Sequence, residues 1–397
     1  MEQFVITNAL VYTGHRFVPR EVYVEEGRVA QLAEKVNAPA GCPRLDLGGK
    51  RLVPGFIDIH THGAMGRDFS DGDPEALAVT SRYYAENGVT SFLATTMTLK
   101  EPQLLPAMAC VKNAGALPGA RCAGVNLEGP FLSYAKRGAQ NPDNLHKPDA
   151  DMFMRLHEAS GGAVKLVTVA PEEEGGLEFV KRVSPVCTVS VGHTEADYDT
   201  AMRAYEAGAS HATHLFNGMP GLHHRNPGVI GAAFDAGATV ELICDGLHIC
   251  DEMLGIYFKV KSTDKFMMVS DCTALSGAPV GKYEGIFEGM ALNVTPEGFV
   301  LTDTGRLCGS SQPVLFDIGN LVNNVGIPLE TCLKMACLNP CIKYGFADRK
   351  GTIEVGKDAD LVVISDDYQA QVTYAEGRKV YDRSTEGKIF NADYLNR

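Results

Sequence analysis

No stretch of the chain reaches about 18 uninterrupted apolar residues, so nothing in it has the length of a membrane-spanning helix. The opening residues, MEQFVITNAL, carry an acid near the start and lack the basic-then-apolar order of a secretory signal. No CxxC pair occurs among the eleven cysteines, an odd number scattered along the chain, which fits reduced and mostly buried thiols rather than a disulfide framework. A cytoplasmic location is therefore expected. No run of basic residues interrupts a balance of 49 Asp and Glu against 36 Lys and Arg, a net charge of −13. Nucleic acid and acidic membranes are thus excluded as partners. An anionic small molecule is not, because a few local Arg or His groups outweigh a diffuse acidic field at short range. Internal repeats and low-complexity segments are absent as well.

What is present is the composition of a soluble globular protein, with 45% apolar and 21% charged residues over 397 positions. That length favours one large domain with a smaller one appended. The first fifty residues alternate apolar and polar positions in FVITNALVY and EVYVEEGRVAQLA, with Glu26-Gly27 placed to turn a hairpin. Short strands recur at the other end, in GTIEVGKDADLVVISDD and QVTYAEGRKVYD. Residues 1–52 and 350–397 are expected to share one small β-sandwich domain. Between them, over residues 53–349, eight apolar strand segments alternate with helices: VPGFIDIH, TSFLATT, CAGVNLEG, VKLVTVA, CTVSVGH, SHATHLFN, TVELICDG and KFMMVSD. One helix is expected over Pro74 to Asn87, capped by Asp73, and another over Asp197 to Ala207. This order is that of an α/β protein with a closed (β/α)8 barrel. An open doubly wound sheet would call for a Gly-rich phosphate turn after the first strand, and Gly55 and Gly63 do not form GxGxxG.

The polar residues fall at the C-terminal ends of those strands. His60 and His62 end the first, Glu128 the third, His193 the fifth and His214 the sixth; Asp245 and His248 follow the seventh, and Asp271 ends the eighth. Each alone has an ordinary structural explanation. In a barrel, however, these ends converge on the face where active sites form. His60 and His62, two residues apart on a strand, project from one face and can reach one ion. With His193, His214 and a carboxylate they make a donor set suited to Zn²⁺ or Fe²⁺. His211 lies three residues before His214, hence on the opposite strand face, and reads as structural. Asp271 closes the apolar run FMMVSD and is placed to act as a general base beside metal-held water.

The motifs GFIDIHTHG, the Glu of LEGPF, GHT, ATHLFN and SDCT, in that order and between split β segments, resemble the amidohydrolase superfamily. Within it, LEGPF followed by KRGAQNP, then GHTEADYD, ATHLFNGMPGLHHRNPG, CDGLHI and LCGSS are similar to the N-acetylglucosamine-6-phosphate deacetylase family along nearly the whole chain. Many binuclear amidohydrolases bridge their metals with a carboxylated Lys on strand four; here that strand ends VTVAPE without Lys, and the resemblance gives its place to Glu128. The resemblance implies metal ligands Glu128, His193 and His214, with Asp271 as catalytic acid and base and His248 stabilising the oxyanion. A second ion on His60 and His62 is optional, since some members carry Gln-x-Asn there. Zn²⁺, Fe²⁺, Co²⁺ or Mn²⁺ would each suit these donors. Implied substrate contacts are Ala139, Gln140, Asn217, Gly218, Arg225, Asp245 to His248 (Asp245, Gly246, Leu247, His248), and Leu307, Cys308 and Gly309. Arg225 would reach the 6-phosphate in the neighbouring subunit of a homodimer. The implied reaction yields glucosamine 6-phosphate and acetate in amino-sugar catabolism and cell-wall recycling. Rival readings are deacetylation of the galactosamine epimer, a cyclic-amide hydrolase or aminohydrolase of the same superfamily, and a non-catalytic barrel scaffold.

Overall fold

A computed structural model describes residues 3–287 and 290–387. Residues 1–2 and 388–397, the outer ends of the segments expected to form the small domain, and residues 288–289 lie outside the described residues. Eight parallel strands form the central sheet and pair in chain order: β1 (Phe56–Thr61), β2 (Val89–Thr96), β3 (Arg121–Leu127), β4 (Val164–Val169), β5 (Thr188–Val191), β6 (His211–Ala212), β7 (Thr239–Leu242) and β8 (Phe266–Met268). Every residue of β2 is buried, as befits a parallel strand covered by helices outside and side chains inside. The ring closes where Asp271 N–H donates to His60 O at 2.9 Å and His62 N–H to Cys272 O at 2.7 Å. The expected helices are present at Pro74–Glu86 and Tyr198–Glu206, with Asp73 and Asp197 accepting backbone N–H groups of their first turns.

One irregularity in β1 matters to the site. Asp58 pairs with Phe92 and Thr61 with Ala94, so β1 carries an extra residue opposite β2. A bulge of this kind re-aims side chains. Ile59 packs inside the barrel with Leu93, Leu166, Ile243 and Met267, and the adjacent His60 also faces inward, onto Glu128 and Glu241.

Strands from both ends of the chain join in a second, eight-stranded sheet, whose seam is the antiparallel pair Arg51–Pro54 with Leu361–Ile364. Phe4 stacks on Tyr374 at 4.7 Å although two strands separate theirs in the sheet. The sheet therefore curls onto itself and encloses its own core around Ile6, Val11, Leu52 and Leu361. Beside the seam the buried Lys350 ammonium meets Asp360 at 2.6 Å and Asp358 at 3.0 Å. Removing one partner of a buried pair leaves the others uncompensated, so Lys350→Met should cost about 3–5 kcal/mol of stability in a denaturant titration. A loss within error of zero would show the ion cluster to be dispensable.

A four-stranded antiparallel sheet (Gly281–Phe287, Met290–Val294, Phe299–Thr302, Leu307–Ser310) follows β8. The eight-strand reading does not include it, although the Gly-containing turns TPEG and DTG between short apolar runs carry a hairpin signal. Its last strand docks on the barrel, Ser310 N–H donating to Asp271 O at 2.7 Å. The insertion thereby walls one side of the site.

Candidate metal centre

The strand ends converge as the barrel requires. Glu128 Oε1 lies 3.2 Å from His60 Nε2, 3.2 Å from His193 Nε2 and 3.0 Å from His214 Nε2. Its other oxygen lies 3.3 Å from His62 Nε2. Asp271 Oδ1 is 3.3 Å from His62 Nε2 and 3.5 Å from His60 Nε2. Two candidate ligand groups result, His60/His62/Glu128 and Glu128/His193/His214, with Glu128 common to both. His193, His214 and Asp271 take positive φ values of 47°, 22° and 50°. Non-glycine residues rarely do so, and each instance costs of order 1–3 kcal/mol that the surrounding barrel must over-determine.

The protons on these rings decide what the cluster can hold. His193 Nδ1 faces Lys136 O at 2.8 Å and His214 Nδ1 faces Asn217 O at 3.2 Å. A carbonyl only accepts, so each Nδ1 carries the hydrogen, and in the singly protonated ring each Nε2 presents a lone pair. Those two Nε2 atoms stand 3.1 Å apart. Two lone pairs at that distance repel unless a cation lies between them, and buried imidazole and carboxylate donors fit a divalent metal there. The field points the same way. Burial alone would raise the Glu128 carboxyl, but the His60 and His193 rings outweigh it and hold it well below the usual carboxylate range. Burial likewise disfavours a charged His62, yet the Asp271 and Glu128 carboxylates push it up to about 9. A site that draws protons onto buried imidazoles draws a dication for the same reason. Asp271, raised by burial but more strongly lowered by His60 and His62, stays a carboxylate at neutral pH.

Above the cluster opens a cavity of about 600 Å³, lined in part by Ala139, Gln140, Asn217 and Gly218. Leu307, Cys308 and Gly309 of the insertion form the opposite wall. A Cβ on Gly218 would lie 2.9 Å from His193 Nδ1 and one on Gly309 2.5 Å from Asp271 O, so both glycines let the backbone close on His193 and Asp271. His248 also faces the cavity. Asp245, Gly246 and Leu247 form the turn behind it: Asp245 Oδ2 is 2.7 Å from His248 Nδ1, and its Oδ1 accepts the Leu247 and His248 N–H groups at 2.8 Å. Burial opposes charge on His248, but Asp245 overcomes it and raises its pKa.

Three placements bear on the expectations for the site, and one of them, that of His211, differs. Gln140, expected at the substrate, has both amide ends committed, donating to Glu128 Oε2 at 2.8 Å and accepting from Thr98 N–H at 2.9 Å. Arg225 is exposed and stands outside the wall of its own chain's cavity. His211 is not turned away from the site: its Nε2 meets Glu241 Oε1 at 3.1 Å, and Glu241 also faces His60. The three-residue spacing misleads there because β6 stops at Ala212 and the chain leaves it through the left-handed turn at His214. Glu241, inside the apolar segment TVELICDG, and the cations Lys136 and Arg306 at the cavity wall are absent from that reading.

The amidohydrolase family model matches residues 51–387. The N-acetylglucosamine-6-phosphate deacetylase of Bacillus subtilis (strain 168) is 35% identical over 333 residues, covering 82% of this chain and 83% of that protein. The protein of the same name from Bos taurus is 33% identical over 399 residues, with 94% and 95% covered. Among solved structures, the N-acetylglucosamine-6-phosphate deacetylase of Pasteurella multocida superposes with a TM-score of 0.88 at 28% identity, over 95% of this chain and 99% of that one. An aspartate-to-alanine variant of the Mycobacterium smegmatis deacetylase, in complex with N-acetyl-D-glucosamine-6-phosphate, gives 0.87 at 28% identity over 96% and 100%. With the barrel, the shared Glu128 and these similarities together, the chain belongs to the amidohydrolase family and, within it, to the N-acetylglucosamine-6-phosphate deacetylases.

Proposed function

We propose that the chain hydrolyses the acetamide of N-acetyl-D-glucosamine 6-phosphate, giving D-glucosamine 6-phosphate and acetate. The observation that carries this is the convergence of Glu128, His193 and His214 with Asp271 at the floor of a single cavity. Glu128, His193 and His214 would hold a divalent ion there, with His60 and His62 offering an optional second place, and such an ion would supply Lewis acidity and lower the pKa of water from 15.7 to about 7. Zn²⁺ is the ion the donors favour, with Fe²⁺, Co²⁺ and Mn²⁺ as alternatives. Asp271 takes the proton of the attacking water as the new C–O bond forms, then returns it to the amine nitrogen as the C–N bond breaks. Since Nδ1 of His248 donates to Asp245, a charged ring keeps Nε2–H free to donate to the developing oxyanion.

The phosphate end calls for a second copy of the chain. Arg225 lies in the exposed loop 221–226 beside Leu222, which is 55% exposed. Phe216, earlier in the same connection, meets Tyr257 edge-on at 4.2 Å. Tyr257 belongs to the helix Asp251–Val260, whose Met253, Ile256 and Val260 form an exposed apolar stripe at helical spacing. These features support a homodimer in which Arg225 reaches the neighbouring cavity. Arg225→Ala should then cost about 1.5–3 kcal/mol of binding, the size of a charge-assisted hydrogen bond, and only for phosphorylated substrates. Equal losses with plain N-acetylglucosamine would remove Arg225 from the phosphate site. Paired kinetics on the glucosamine and galactosamine epimers test the sugar, and elemental analysis of the purified protein tests the metal. A protein with neither metal nor hydrolysis would be a scaffold instead. No helix among the described residues is long and apolar enough to cross a membrane, and all eleven cysteines are unpaired, which supports a reducing compartment such as the cytoplasm.

A further inference from the structure

We infer that Glu241 is a positioning residue that makes His60 a metal ligand. It sits on β7 inside the barrel, fully buried, where a carboxylate is tolerated only if its oxygens are well satisfied. Three donors meet it. Its Oε2 accepts from His60 Nδ1 and from the backbone N–H of His214, both at 2.9 Å, and its Oε1 from His211 Nε2 at 3.1 Å. His211 Nδ1 in turn lies 2.7 Å from the Thr239 hydroxyl.

The consequence is a choice of tautomer. With an acceptor that carries no hydrogen at Nδ1, His60 must place its proton there, and its Nε2 lone pair faces Glu128 Oε1 at 3.2 Å. Without that acceptor, the Nε2–H tautomer would donate to Glu128 or Asp271 and close the first ligand group to an ion. His211 holds the opposite arrangement, with Nε2–H spent on Glu241. A histidine one layer below the site is thereby kept from competing as a ligand. Because the same oxygen that orients His60 also fixes the backbone of His214, one buried carboxylate spans both ligand groups. Such supporting partners are typically worth 10–100-fold in metal affinity.

The inference rests on reading the cluster as a metal centre and not on the identity of the substrate, so its test reads metal. Metal-stripped wild type, Glu241→Gln, His60→Gln and the double variant would be titrated with Zn²⁺ against a chromogenic chelator, with circular dichroism confirming the fold. Wild type should bind two ions. Glu241→Gln should weaken the weaker-bound ion by about 10–100-fold and leave the tighter ion within a few-fold. In the His60→Gln background the same change should have no further effect on metal. Unchanged affinity in Glu241→Gln, or an equal loss in both backgrounds, would overturn the inference while the metal centre stands. Wild type binding a single ion would also overturn it, and binding none would remove the metal centre itself. Should Glu241→Gln not fold, long-range ¹H–¹⁵N spectra of zinc-loaded wild type with labelled histidines settle the tautomer. Protonation of His60 at Nδ1 is expected, and protonation at Nε2 would sink the proposal.

Discussion

Asp271→Asn should keep its metal and lose about 10²–10⁴-fold in kcat, the usual contribution of a positioned acid–base group. Asparagine has nearly the shape of aspartate but cannot take up a proton from water or deliver one to a leaving amine. The backbone bonds that seat the residue do not involve its side chain: Asp271 N–H donates to His60 O at 2.9 Å, and Asp271 O accepts from Ser310 N–H at 2.7 Å. The left-handed φ of 50° at this position is one that Asn tolerates better than most residues. The variant should therefore fold, bind substrate and stall. Pre-steady-state kinetics with metal analysis on the same sample would check it. Turnover near that of wild type, with metal in place, would assign the proton transfers elsewhere.

Glu128→Gln should be more damaging, because one side chain serves both ligand groups. Its two oxygens face four imidazoles, those of His60, His62, His193 and His214, at 3.0–3.3 Å. An amide there supplies one neutral donor atom in place of an anion, and its NH₂ would point hydrogens at ring nitrogens that must offer lone pairs. Metal affinity should fall beyond the roughly 100-fold that marks loss of a mere supporting partner. With the ion go several kcal/mol of transition-state stabilisation, so kcat/KM should drop by at least about 10³-fold. The stabilisation that a ligand of the native state confers on folding should vanish too, leaving the thermal midpoint insensitive to added Zn²⁺. Two ions bound at wild-type affinity would show that the bridge is formed by another group.

The parts of the site that were legible in the residues are those set by local pattern. An apolar run of strand length ending in a polar residue is read within ten positions, so His60, His62, Glu128, His193, His214 and Asp271 could be placed at strand ends without coordinates. Asp73 announced its helix for an equally local reason, since an N-cap bonds within its own first turn. Glu241 was not legible. It interrupts an apolar run in the middle of a strand, where a carboxylate has no short-range meaning, and its partner His60 is 181 positions away. The packing of Gln140 was not legible for a related reason: nothing in its own loop reveals that Thr98 and Glu128 meet the two ends of its amide.

From residues alone came the alternation of strands and helices, the class of barrel and a set of polar strand-end residues of metal-binding type, because periodicity, capping and donor chemistry are properties of neighbouring positions. Ring closure decided the rest. It brought β7 against the floor of the site so that Glu241 could choose the proton position on His60. It also set His193 and His214 nose to nose at 3.1 Å with their other nitrogens spent on backbone carbonyls. A hydrogen-bond partner is whichever acceptor the fold delivers within about 3 Å, and no short stretch of chain contains that information.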